Sequence, residues 1–159
     1  MKKLIGIVLV GLALIAVLPR PAAAAGPINF YVREGILTDQ SFSFSPFLWT
    51  TGANIDINLG PALFLAPECD VIVYKFSFNP VWLAPAVTVN FRASYFFVGG
   101  GVGLFAVLGS GYHLYSDALL KLNAGIKSDT FKLAAYIWTP MSSEAFSEML
   151  VGVNMGFGF

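Results

Sequence analysis

The clearest pattern in the chain is an alternation of apolar and polar residues with a period of two, the spacing of a strand with one buried and one solvated face. It is cleanest at the C-terminus. There Val151, Val153, Met155, Phe157 and Phe159 fall on one face, and Gly152, Asn154, Gly156 and Gly158 on the other. The pattern recurs in 119–127, where Leu120, Leu122, Ala124 and Ile126 oppose Lys121, Asn123, Gly125 and Lys127. In 53–60, Ala53, Ile55, Ile57 and Leu59 oppose Asn54, Asp56, Asn58 and Gly60; in 86–92, Val87, Val89 and Phe91 oppose Thr88, Asn90 and Arg92. In 130–138, Phe131, Leu133, Ala135 and Ile137 oppose Lys132, Ala134, Tyr136 and Trp138.

Alternation alone fits either a soluble barrel, apolar inside, or a membrane barrel, apolar outside. Three features favour the second. The apolar face is nearly free of charge in every segment. The opposite face is rich in Gly and Asn, as a narrow lumen requires. Composition agrees: 57% of the 159 residues are hydrophobic, above the 45–50% usual for soluble domains, and 15% are aromatic. A backbone crossing lipid as strands must close on itself, because an open edge would leave unpaired polar groups in hydrocarbon. The expected class is therefore all-β: a closed, antiparallel, up-and-down transmembrane barrel.

Turn signals punctuate eight expected strands, near 41–49, 53–60, 61–73, 80–91, 95–106, 116–127, 130–138 and 148–159. An even count places both ends on the periplasmic side. Gly60-Pro61, Arg92-Ala93-Ser94 and Ser128-Asp129 become short periplasmic turns, while 50–52, 74–79, 107–115 and 139–147 become outer loops. This arrangement gathers Trp49, Trp82 and Trp138 near the outer end as interface aromatics, and Phe91, Tyr95, Phe131 and Phe159 near the inner end. Pro46, Pro67 and Pro85 interrupt expected strands, where each removes a ladder hydrogen bond and marks a bulge or an early end. Residues 26–40 are either a periplasmic leader or an extra strand, and 41–159 the barrel.

The first 25 residues read as a cleaved signal peptide: basic Lys2 and Lys3, an apolar run from Leu4 to Leu18, Pro19, then Ala22–Ala25. These fifteen residues, Gly6 and Gly11 among them, fall short of the roughly 20 that a spanning helix needs. Of nine basic residues the leader holds Lys2, Lys3 and Arg20, so the remainder carries six against nine acidic ones, a net charge of −3. That balance argues against a nucleic-acid partner, which would want a basic face. The lone Cys69 cannot form an internal disulfide and lies too far from the leader to anchor a lipid.

The last strand, Leu150–Phe159, resembles the C-terminal signature of bacterial outer-membrane proteins: a terminal Phe preceded by apolar residues at alternating positions. Val151, Val153, Met155, Phe157 and Phe159 match it. The resemblance implies recognition by the barrel-assembly machinery during biogenesis. Beyond the leader, the chain resembles the small eight-stranded barrels of the OmpX, OmpA-domain and OmpW type, and outer-membrane lipid is the implied surrounding.

The polar face supplies the expected lumen lining: Asp56, Asn58, Asn90, Arg92, Lys121, Asn123, Lys127, Lys132 and Asn154. Eight strands enclose a space that side chains fill, so a packed polar core is expected rather than a pore. Glu68 and Asp70 flank Cys69 at strand spacing, which puts them on one face, luminal or solvated. Gly99-Gly100-Gly101 lacks the Lys-Ser/Thr and helix start of a phosphate loop. His113, beside Ser110, Ser116 and Asp117, suggests a hydrolase, but no Gly-x-Ser-x-Gly elbow is present. One His and one Cys do not make a metal site. The expectation is a monomeric, non-enzymatic barrel with a structural or surface-interaction role and no cofactor. The rivals are a narrow pore or OmpW-like channel for small or apolar solutes and, behind it, a lipid-modifying enzyme.

Overall fold

A computed structural model describes residues 27–42, 48–74, 77–109, 112–141 and 149–159. The expected leader, Pro46, Ser110 and most of the fourth outer loop lie outside these residues. The strands are β1 (Ile28–Asp39), β2 (Leu48–Asn58), β3 (Leu63–Tyr74), β4 (Ser77–Ala93), β5 (Phe96–Gly103), β6 (Ala106–Gly109), β7 (Tyr112–Tyr115), β8 (Leu119–Lys127), β9 (Phe131–Pro140) and β10 (Leu150–Gly158). Every pairing is antiparallel, and the ring β1-β2-β3-β4-β5-β8-β9-β10 closes through β1–β10 and β3–β4. β6 prolongs β5 along β4, and β7 pairs with β6, so the ten segments make eight staves. No helix among the described residues is long and apolar enough to cross a membrane.

The N-terminal third corrects the sequence reading. Residues 28–39 are a full stave, sealed to the last strand from Tyr31/Gly158 to Asp39/Leu150. Of the expected strand 41–49, Ser41 lies in a turn after β1, while Leu48 and Trp49 belong to β2, the single stave that also takes most of the expected strand 53–60; 50–52 is mid-strand rather than a loop. Thr50-Thr51-Gly52 looks like punctuation in sequence. In the fold, Gly52 is small because a Cβ there would strike the Asp70 carboxylate and the Cys69 carbonyl. The two errors cancel, which preserves the even count. The other strands fall close to expectation, and Leu59–Ala62, Ser94-Tyr95 and Ser128–Thr130 turn at the end where both described termini lie. This end, the terminal rim, is tied by Phe159 N–H to Phe30 O (3.0 Å) and Asn58 N–H to Pro27 O (2.9 Å).

Two prolines break ladders without ending strands. The β2–β3 ladder skips from Asn54/Glu68 to Ile57/Leu65, the stretch holding Pro67. The β4–β5 ladder stops at Ala86/Gly103, beside Pro85, and resumes as β4–β6 at Leu83/Ala106. Facing the gap is a bulge: Leu104 and Phe105 oppose Ser116, Asp117 and Ala118. Ser116 Oγ accepts the Phe105 N–H at 2.8 Å and donates to the Asp117 carbonyl at 2.8 Å, supplying the partner that the ladder lacks there.

The two faces of the wall are inverted relative to a soluble protein. Phe30, Val32, Ile55, Val87, Val89, Val98, Val102, Leu122, Val153, Met155 and Phe157 are exposed on the outside. Asp56, Arg33, Lys121, Lys127 and Lys132 are buried inside. A contiguous apolar exterior of this extent is unfavourable in water and favourable in lipid.

Candidate functional site: the charged lumen

Alternation on each stave sends one residue in two inward, and the lumen so formed holds two charge clusters. The upper one joins β1, β3 and β8. Arg33 donates through Nη1 to Glu68 and through Nη2 to Asp70 Oδ1 (2.6 Å), a fork on two carboxylates spaced by the strand period. Lys121 Nζ reaches Glu68 Oε1 at 2.5 Å and Asp70 Oδ2 at 3.8 Å. The same ammonium lies 4.7 Å from the Tyr136 ring centroid and 4.8 Å from that of Trp138, so two π faces complete its surroundings.

The lower cluster centres on Asp56 of β2. Its carboxylate receives Lys127 of β8 at 2.6 Å, Lys132 of β9 at 2.8 Å and the Asn54 amide at 2.6 Å. Beneath the two ammonium groups is an aromatic floor. Lys127 Nζ lies 4.1 Å from the Phe64 ring centroid, and Lys132 Nζ lies 5.1 Å from that of Phe97 and 5.5 Å from that of Tyr31. Phe64 and Phe97 meet edge to face. Tyr31 donates its hydroxyl to the Ser128 carbonyl at 2.5 Å, fastening the floor to the β8–β9 turn.

Among the described residues the buried lumen thus holds four cations (Arg33, Lys121, Lys127, Lys132) and three anions (Asp56, Glu68, Asp70). Removing so much charge from water is costly, and close pairing with auxiliary hydrogen bonds offsets it. Tyr31, Asp56, Phe64, Thr88 and Asn90 have zero exposure, so no water-sized space touches them.

Asp56, Asn90, Lys121, Asn123, Lys127, Lys132 and Asn154 are all buried on the inner face. Asn58 is half-buried at the terminal rim, where β2 ends directly before Leu59. Arg92 corrects the lumen set: it shares the inward parity of Asn90, but at the strand end it is only half-buried and donates to the Pro61 carbonyl at 3.3 Å. The sequence reading omits Arg33, Tyr31 and Tyr136, and leaves Glu68 and Asp70 between two faces. Their opposition to the apolar set Leu63, Leu65 and Val71 could have settled the last two.

The three tryptophans do sit toward the far end, but they do not form one girdle. Trp49 faces outward and gives its Nε1–H to Glu34 Oε2 at 2.8 Å, while Thr51 Oγ1 donates to Glu34 Oε1 at 2.6 Å. Trp138 is 2% exposed, on the inward parity of Lys132 and Tyr136. Its ring packs on Phe105 (5.1 Å), which also meets Trp82 (6.2 Å). Trp138 and Trp82 therefore cap the charged layer from within, a correction to their place as interface aromatics. Gly103 makes room for this cap: a Cβ there would come within 2.7 Å of Trp138 Cη2.

Val151 is half-buried on the outer wall, Val153, Met155 and Phe157 are exposed there, and Phe159 is 86% exposed. His113 lies in β7 with its backbone opposite Leu108, and Ser116 Oγ is committed to the bulge. Among the described residues no three His, Cys, Asp or Glu side chains are grouped to hold a metal. Cys69 is exposed on the outer wall.

No protein-family profile matches the sequence, and no curated protein matches it. Solved structures do. The chain is similar to the crystal structure of Neisserial surface protein A, with a TM-score of 0.53 at 9% identity, covering 86% of this chain and 97% of that one. It is also similar to the crystal structure of the N-terminal β-barrel domain of Pseudomonas aeruginosa OprF, with a TM-score of 0.50 at 13% identity, covering 82% and 97%. At such identities the likeness speaks to fold alone, and that fold is a small closed barrel, antiparallel and eight-stranded in this chain.

Proposed function

We propose that the protein is a monomeric barrel of the bacterial outer membrane, with the terminal rim toward the periplasm, and that its role is structural or surface-interacting rather than conducting. The observation that carries this reading is the lower charge cluster. Asp56 joins staves on opposite sides of the wall, above an aromatic floor, with no water-sized space beside it. Ions would have to break these pairs to pass, and pairs in so low a dielectric are strong. The apolar exterior supports the membrane setting, and the C-terminal alternation up to Phe159 supports delivery by the assembly machinery.

Planar-bilayer recording of the refolded protein tests the closed lumen. The expected result is no current steps for the wild type. Discrete steps that vanish on replacing Lys121 or Lys132 would overturn it in favour of a narrow channel. The membrane setting has its own check: an unboiled sample should migrate differently from a boiled one on a detergent gel. A mature chain soluble without detergent would refute that part.

A further inference from the structure

Among the described residues, Glu34 is the one charged side chain that stands on the outward face within a stave. Asp39, Arg92, Asp117 and Asp129 lie at strand ends or between strands, and the other charges are buried in the lumen. Glu34 is half-buried, with the apolar Val32 and Ile36 on either side of it on the same face of β1 and Met155 of β10 across the ladder. It lies six residues from Ile28 and five from Asp39. On a tilted stave that is about 12–16 Å from either strand end. The Trp49 Nε1–H and the Thr51 hydroxyl donate to its two oxygens at 2.8 and 2.6 Å. These neutral donors hold the carboxylate but bring no counter-charge, and no described residue forms an ion pair with it.

A carboxylate facing hydrocarbon at mid-depth is costly, and such a residue persists where a partner meets it. Depth limits which cation that partner can bring. Aqueous ions do not enter hydrocarbon, and lipid amines stay at the headgroup level. A second copy of this chain presents the same outer wall, on which no cation stands among the described residues. The remaining source is a basic side chain carried into the bilayer by a different protein. We infer that Glu34, held by Trp49 and Thr51, is a lateral docking site for another membrane protein whose lipid-facing surface presents a Lys or Arg at mid-depth. The inference rests on the membrane setting proposed above. Each carboxylate oxygen can accept a second hydrogen bond beside the one it already receives, so the incoming cation adds to the Trp49 and Thr51 contacts without displacing them. In so low a dielectric the resulting pair is strong.

Synthetic membrane-spanning peptides of leucine with a central Lys, Leu or Glu serve as the probe, in phosphatidylcholine vesicles that hold the refolded mature barrel. A donor fluorophore on Cys69, exposed on β3 beside Ala53 of β2, reports an acceptor-labelled peptide by energy transfer. The Lys peptide should associate with the wild type roughly tenfold more tightly than the Leu peptide, the worth of a polar contact between membrane segments. The Glu peptide should gain nothing over Leu. Glu34→Gln should abolish the preference for Lys, and Glu34→Asp should keep part of it. Equal association of the Lys and Leu peptides with the wild type, or a preference undiminished in a folded Glu34→Gln barrel, would overturn the inference. So would energy transfer between donor- and acceptor-labelled barrels that Glu34→Gln abolishes, because it gives the site to a second copy. If Glu34→Gln does not refold, the three peptides on the wild type decide. A barrel that inserts in vesicles yet shows no Lys preference refutes the docking site alone. A mature chain soluble without detergent refutes the membrane setting with it.

Discussion

Asp56 on β2 and Lys127 on β8 meet at 2.6 Å although their strands are four staves apart in a ring of eight. The pair therefore spans the barrel's diameter, and Lys132 of β9 shares the same carboxylate. Asp56→Ala leaves two buried ammonium groups without their counter-charge, so it should destabilise the barrel by about 3–5 kcal/mol. Urea unfolding of the protein refolded in lipid vesicles reads this. Asp56→Leu combined with Lys127→Met and Lys132→Met removes the whole cluster, and most of the loss should return, because an apolar layer needs no counter-charge. If the triple variant is less stable than the single one, the cluster supports the fold through its hydrogen bonds and not merely through charge balance.

The cap above the charges gives a separate expectation. Gly103 faces the Trp138 ring at a distance a methyl cannot share, whereas Gly60 has open space. Gly103→Ala should cost about 1–3 kcal/mol by overpacking, and Gly60→Ala should be near neutral. Adding Trp138→Leu to Gly103→Ala should shrink the penalty, because the clashing ring edge is gone. Equal penalties for Gly103→Ala with and without Trp138 would place the strain in the backbone of β4, which Gly103 also approaches through the Pro85 carbonyl.

The fold was legible wherever alternation ran uninterrupted, as from Leu119 to Lys127 and from Leu150 to Phe159. It was obscured where local residues answer to distant ones. Arg33, Glu34 and Gly35 in β1 resemble a polar leader until Arg33 is seen to fork onto Glu68 and Asp70, two staves away. Glu34 breaks the apolar face because Trp49 and Thr51 satisfy it, a partnership set by strand pairing and not by sequence spacing. Trp138 shows a conflict between two signals. Its height suggested the girdle, its parity with Lys132 suggested the lumen, and parity prevails, because a one-residue step reverses the face whereas height on a strand is continuous.

The outer wall can be checked with the chain's own single cysteine. Cys69 lies mid-strand between Ala53 and Pro85, exposed on the apolar side. A fluorophore attached there before refolding should be strongly quenched by lipids brominated on the acyl chains. The same label on a Cys69→Ser, Thr88→Cys variant would be confined to a closed, fully buried position, and refolding should fail or the quenching should be weak. Strong quenching at position 88 and none at 69 would invert the wall.

Phe159 separates delivery from packing. Its ring is 86% exposed, and its backbone N–H, which any residue keeps, holds the bond to Phe30 O. Phe159→Ser should thus change the stability of the refolded barrel by no more than about 0.5 kcal/mol, as for an ordinary surface substitution. Phe157 offers a contrast, because its ring meets Phe131 edge to face at 6.1 Å, and its loss should cost about 0.5–1.5 kcal/mol for the pair beyond area burial. In cells the order should reverse. If the terminal Phe is the recognised feature, Phe159→Ser should lower the amount of heat-modifiable barrel in the outer membrane more than Phe157→Ser does. Measuring both variants by urea unfolding in vitro and by gel shift from membranes decides the matter. A Phe159→Ser barrel that is as abundant as wild type, or one whose scarcity matches an equal loss of stability in vitro, would remove the terminal ring from delivery.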